Sequence, residues 1–387
     1  MTHAESAMPP AAAVPDPGRP RPAGALRSDG AADAGPNRKL RARLTALLAV
    51  LVALSGLRDP QYFLFTPIPL LVIWLTPRGA TRVLLGFALA LVTIGGLLTT
   101  YREGMAVLEW PRTQKDGMFE YPLSQMLADG WGVTLEHTHR LVASALGLVA
   151  IAVVMSTYVH RSRPALKAAA WITLLAIIGQ GILGGFRVLE VSQNLAFLHG
   201  TIAQAVFATM AVLAAMASDA WRRGERLPTE RAARGLGPWV AGLLYLQLGL
   251  GAWLRHHGHV EALLVHGTFA LVVVALVVVF AKELGAASRE GDGALAGRTP
   301  LARLQHVLLG SLGLQFTLGV LATYGIYGLS GGMTSEVSLG EAIFASSHVV
   351  VGTVLFSSTV VGAAWARRTL QPRAAVGAPG SNREAVA

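Results

Sequence analysis

The chain has 387 residues, of which 53% are hydrophobic and only 14% charged, with a formal net charge of +10. An ordinary soluble domain carries about 25% charged residues, so this composition, with a mean hydropathy of +0.50, points to a polytopic membrane protein. Cysteine is absent, which excludes disulfides, thiolate-held metal clusters, cysteine nucleophiles and thioether-attached haem.

Residues 1–37 are rich in Ala, Pro, Gly and Arg and lack periodicity. They are expected to form a disordered cytoplasmic tail, because such a segment cannot bury enough apolar surface to offset its ordering entropy. The first apolar stretch starts near Leu44 with no clean small-residue cleavage site after it, so it does not read as a signal peptide. Apolar spans then follow at about 44–57, 61–76, 81–101, 137–159, 166–187, 195–217, 236–255, 262–281, 301–323 and 342–365. The first two are short and interrupted by Pro60, Pro67 and Pro69, and are expected to form an extra N-terminal transmembrane hairpin over 38–77. The remaining eight predict an all-α integral membrane protein of two similar four-helix bundles. The first half covers 78–224 and the second 235–370, and 371–387 is expected to be a second disordered tail.

Basic residues orient the spans. If the loops after residues 76, 159, 217, 281 and 365 share a side with the N-terminal tail, the opposite side holds only Arg58, Arg102, Arg112, Lys115, Arg140, Arg187 and Arg255 of the 32 Lys and Arg. By the positive-inside rule both termini are cytoplasmic, in a multi-pass protein of the cell (inner) membrane. The charge therefore reflects topology in a lipid bilayer and is no footprint of nucleic acid.

Pairing the eight spans exposes a fourfold repeat. Each odd span has a small-residue step near its outer end, and each even span has a histidine near its start. The pairs read TIGGLLTTYREG then LEHTHRLVAS, GQGILGGFRVLE then NLAFLHGTIAQ, LQLGLGAWLRHHG then EALLVHGTFA, and LQFTLGVLATYG then IFASSHVVVG. Gln precedes Gly by four residues in three of them, at Gln180/Gly184, Gln247/Gly251 and Gln315/Gly319, whereas the first keeps Gly95 and Gly96 without the Gln. The repeated histidines, His139, His199, His266 and His348, are predicted at similar depth toward the external face. An ionisable group in hydrocarbon costs roughly 2–3 kcal/mol or more, so four matched ones need a reason.

Neutral imidazoles facing each other across a bundle bind a haem iron from both sides, and four make two sites, one per half. The glycines would leave room for a flat macrocycle, or serve close helix packing. Zinc fits less well, since the ligands lack its usual short local spacing. His160 and His306 lie at cytoplasmic ends and His3 in the tail, while His256, His257 and His259 form an external cluster read as solvated.

The halves differ. Only the first has a long external loop, about 102–135, which enters the next span as Glu136-His137-Thr138-His139-Arg140. Glu136 and His139 share a helical face, where a carboxylate could relay protons; the alternative is simple stabilisation at a helix N-terminus. Arg140, Arg187 and Arg255 at outer helix ends could pair with haem propionates or snorkel to the interface. His137 faces elsewhere and is left out of the ligand set.

Over residues 81–365 the chain resembles the haem A synthase (CtaA-type) family. The resemblance is carried by GGLLTTYREGMAVLEWP, by the Glu-x-x-His-Arg of Glu136, His139 and Arg140, by GQGILGG followed by His199, by LGAWLR followed by His266, and by Gln315 and Gly319 followed by His348. It implies eight helices in two similar halves and oxidation of the C8 methyl of haem O to the formyl of haem A, for terminal oxidases. It further implies that His139 and His199 bind the substrate haem O with Glu136 catalytic, and that His266 and His348 bind the iron of a haem b cofactor. Expected partners are haem O, delivered by haem O synthase, and an unidentified electron-transfer partner; a homo-oligomer is compatible with the sequence. With two histidines on each iron no coordination position is open, which favours electron removal with oxygen taken from water. The absence of cysteine departs from members with a cysteine pair in their external loops. The competing class is a bis-His dihaem membrane electron-transfer cytochrome without haem-modifying activity. A transporter fits less well, as no broken helix is evident.

Overall fold

A computed structural model of the chain describes residues 35–58, 67–224, 226–229, 231–290, 300–333 and 335–372. The expectation of disorder over 1–37 and 371–387 falls almost wholly outside these residues.

Among the described residues, seven helices are long and apolar enough to cross a membrane. Four build the first half: α3 (Pro77–Thr100), α5 (Trp131–Val159), α6 (Pro164–Leu189) and α7 (Gln193–Met216). The second half comprises α9 (Ala233–His257), α10 (Val260–Glu290), α11 (Leu301–Tyr324) and α12 (Leu339–Thr369). Of these eight, α9 falls outside the seven, because its interior carries Pro238, Trp239, Tyr245, Gln247 and several glycines among the apolar residues. It nonetheless packs against α7, α10 and α12. The ends are set by local chemistry: Pro77 and Pro164 occupy first turns, where the missing N–H costs nothing, and Ser192 and Ser338 cap α7 and α12 through their hydroxyls.

Within each half consecutive helices touch and the ring closes, α3 on α7 and α9 on α12. The two rings join through α3–α12, α7–α9 and α7–α12, as halves related by a pseudo-twofold axis should. Each half has its own core: Leu84, Val149, Val153 and Leu213 in the first, Val277, Phe280, Leu284, Leu308 and Leu355 in the second. Outward-facing side chains such as Ile172, Leu175, Leu264 and Leu271 are exposed and apolar, as lipid requires.

N-terminal to the first half, α1 (Arg38–Arg58) packs on α2 (Pro67–Trp74), the two limbs of the expected hairpin. Of the second limb the described part is the eight-residue helix Pro67–Trp74, about 12 Å long; residues 59–66 lie outside the described chain. In the external loop, β1 (Arg112–Thr113) and β2 (Asp116–Gly117) form a small antiparallel hairpin, followed by α4 (Leu123–Ala128). Between the halves, α8 (Asp219–Arg223) leads to β3 (Leu227–Thr229), which pairs in parallel with β4 (Leu370–Pro372) after α12. Gln371 and Pro372 therefore belong to the folded part. A π-helical turn, Gly325–Leu329, extends α11 at its C-terminal end.

Candidate haem-binding sites

The four repeated histidines fall within the first three turns of α5, α7, α10 and α12, and the four glycines within the last two turns of α3, α6, α9 and α11, the helix before each. Each glycine supports its histidine. A Cβ added at Gly95, Gly184, Gly251 or Gly319 would lie 3.1, 2.9, 2.9 or 3.0 Å from the Cε1 of His139, His199, His266 or His348. The glycines thus make room first for the imidazole ring, the close-packing role.

Three of these histidines are also held by the repeat's glutamine. Gln180 Nε2 lies 3.0 Å from His199 Nδ1 and donates to the His199 carbonyl at 2.6 Å. Gln247 does the same to His266, at 3.1 and 2.9 Å. Gln315 Nε2 donates to His348 Nε2 at 3.1 Å, and His348 Nδ1 donates to the Gln315 carbonyl at 3.1 Å. His139 Nδ1 is buried with no hydrogen-bond partner among the described residues.

In both halves the histidine-bearing helices are the second and fourth of the ring, so each pair straddles a bundle. The rings of His266 and His348 stand 6.3 Å apart, centroid to centroid, at 74°. Two imidazoles sharing one metal, each bonded at about 2.0–2.1 Å, place their nitrogens about 4 Å apart, and the ring centres lie somewhat farther out. The observed spacing fits that arrangement. The Oε1 atoms of Gln180, Gln247 and Gln315 are buried without partners among the described residues. A metal on Nε2 leaves a proton on Nδ1; turning the Gln180 or Gln247 amide supplies its acceptor, and at His348 the Gln315 carbonyl already does. Among the described residues no group of three or more His, Asp and Glu is clustered for a metal ion, so the donors come as pairs and not as a zinc-like tetrad.

Glu136 is 2% exposed and its carboxylate turns toward the external loop. Oε1 accepts from Arg140 at 2.6 Å and Oε2 from the Val107 backbone N–H at 2.9 Å. Arg140 also donates to the carbonyls of Val107, Glu109 and Arg112 at 2.7–2.8 Å. The pair is therefore a latch that fastens the loop to α5. With both terminal nitrogens committed to the loop, Arg140 is better explained as part of that latch than as a propionate contact. His137 faces away from the ligand pair, as expected: it is buried, 3.0 Å from Thr113 Oγ1, with Tyr121 edge-on at 5.1 Å. Tyr121 hydrogen-bonds Asp129, and burial together with that carboxylate pushes its hydroxyl up to about 12.

Arg187 lies one turn beyond Gly184 and donates to the Gly104 carbonyl at 2.9 Å. Arg255 crosses between the halves, donating to the Gly96 carbonyl at 2.6 Å and to Thr100. The external histidine cluster is mixed. His259 is exposed, but His257 reaches Asn194 at 3.1 Å and packs on Phe197, and His256 faces Gly200 beside His199. Those two line the α7–α9 seam and are not simply solvated.

Several contributors escaped the sequence. Trp110 of the loop lies on α6, where a Cβ at Gly185 would stand 2.5 Å from its ring. Gln204 and Thr353 bond at 2.6 Å, and Thr100 with Ser346 at 3.1 Å, both buried at the seam between the halves. Glu341, two turns outward of His348, is 5% exposed with its Oε2 unpartnered among the described residues. The second half thus also carries a buried carboxylate. The glutamines were visible as spacing, but only the contact between helices shows what they touch.

A family model described as cytochrome oxidase assembly protein matches residues 40–211 and 132–264 of the chain. The two stretches overlap across the second to fourth helices of the first half and stop just short of His266, so the second histidine pair lies beyond the match. No curated protein matches. With well over half of its length matched, the chain belongs to the COX15-CtaA family of cytochrome oxidase assembly proteins.

Proposed function

We propose that the chain is a haem A synthase, an oxidoreductase that converts the C8 methyl of haem O to the formyl of haem A. The carrying observation is the matched glycine-backed histidine pair on diagonal helices of both halves, with its 6.3 Å ring spacing in the second. His139 and His199 hold the substrate haem, and His266 and His348 hold a haem b. When bound, that haem b carries electrons one at a time. Turning a methyl into a formyl with oxygen from water releases four electrons and four protons, so electrons pass to an acceptor outside the chain.

The chain's own residues bind, orient and seal. The glycines and glutamines fix the imidazoles, and the Glu136–Arg140 latch with Trp110 holds the external loop over the first half. Arg187 and Arg255, at outer helix ends, supply positive charge for propionates. Glu136 stands three residues before His139 on α5; its carboxylate acts by holding the loop in place, and any proton relay requires the latch to open. The charge asymmetry supports an inner-membrane location with cytoplasmic termini and ligands toward the external face.

Extraction and mass analysis of haems from full-length protein produced with a haem O source tests the proposal. Haem b together with haem O or haem A supports it. Haem b alone, unchanged when haem O is supplied, favours the electron-transfer cytochrome, and no haem removes the four-histidine reading.

A further inference from the structure

The two histidines of the first half are not held alike. His199 carries the Gln180 contacts to its ring and its carbonyl, at 3.0 and 2.6 Å. His139 rests on Gly95, but its Nδ1 is buried without a partner among the described residues. The position four residues before Gly95, where the other repeats have glutamine, is Leu91. In the second half both histidines are held, His266 by the Gln247 amide and His348 at Nδ1 by the Gln315 carbonyl. The single missing clamp therefore falls in the half assigned to the substrate.

We infer that His139 is the exchangeable ligand of the substrate haem, and that Gln180, Gln247 and Gln315 are positioning residues that retain His199, His266 and His348. The inference rests on the reading of the first half as the substrate site. Partners that orient a metal-binding imidazole are typically worth 10–100-fold in affinity. Swinging His199 away breaks the glutamine contacts, whereas His139 leaves only the face of a glycine. That difference matches the two duties of the halves. A substrate haem must enter and its product must leave at every turnover, while a resident cofactor must stay.

The test uses full-length protein loaded by expression with a haem O source, read by haem content, visible spectrum and transfer of haem to excess apomyoglobin. His139→Gly should keep two haems, with the first-half haem converted to high spin and returned to low spin by added imidazole. His199→Gly should lose that haem. Leu91→Gln, which supplies the missing amide, should slow transfer from the first half about 10–100-fold and leave the second-half haem unchanged. The reciprocal Gln180→Leu should speed it, and decides the matter if Leu91→Gln does not fold. Equal haem loss from His139→Gly and His199→Gly, or transfer rates indifferent to both residues 91 and 180, overturns the inference while leaving the two-haem reading intact. Wild-type protein that takes up one haem only, lost in His266→Ala, removes the substrate-site reading and the inference with it.

Discussion

Gly251→Ala isolates the step that turns a helix contact into a binding site. The added Cβ would stand 2.9 Å from His266 Cε1 and 3.3 Å from Nδ1, where ordinary contact begins at 3.4 Å, so the ring must recede by about 0.5 Å. Metal sites tolerate about ±0.2 Å in ligand position. The His266–His348 spacing should therefore no longer suit a shared iron, and haem b content should fall. The fold should barely notice: alanine gains about 0.8–1 kcal/mol of helix propensity over glycine, against about 1–3 kcal/mol of overpacking. Gly242→Ala on the same helix is the control, since nothing lies within 4 Å of a Cβ there. Haem content, reduced-minus-oxidised spectra and thermal unfolding of both variants give the result. Full haem b with an unchanged spectrum in Gly251→Ala would refute the argument that the glycine places the ligand.

Removing the carboxylate in Glu136→Ala leaves Arg140 buried without its counter-charge, a local loss of about 3–5 kcal/mol. The loop around the exposed Arg112 and Lys115 should become sensitive to trypsin, with both haems retained and haem A formation stalled. Unchanged protease resistance would count against the latch. Gly185→Ala should displace Trp110 from α6, read as greater oxidative labelling of that tryptophan; unchanged labelling would show that the ring does not rely on the gap. For Tyr121 the native fold favours the neutral hydroxyl, with its value raised from 10 to about 12. Its contribution to loop stability should be complete below pH 10 and lost as pH rises through about 12. Ultraviolet titration against Tyr121→Phe checks this, and ionisation of Tyr121 at about pH 10 would contradict the raising effect of burial and the Asp129 contact.

Much of this protein was legible before any helix was placed. Spans are local, because the cost of leaving polar groups in lipid is set by the residues within one stretch, so composition alone marked α3, α5, α6, α7, α9, α10, α11 and α12. The second limb of the hairpin, expected over 61–76, is described only from Pro67, as the helix Pro67–Trp74. The repeat likewise lay open as spacing, including the four histidines and the glutamine missing at Leu91. Spacing fixes which residues share a face, however, and not what that face meets. Glu136 and His139 share one, yet Glu136 turns to Val107 and Arg140 because a loop residue some thirty positions away supplies a backbone N–H there. Arg255 reaches Gly96 across the seam for the same reason: helix rotation is decided by packing between halves. The ligands could be counted in the sequence, but which of them are held, and by what, depends on neighbours that the chain brings together only by folding.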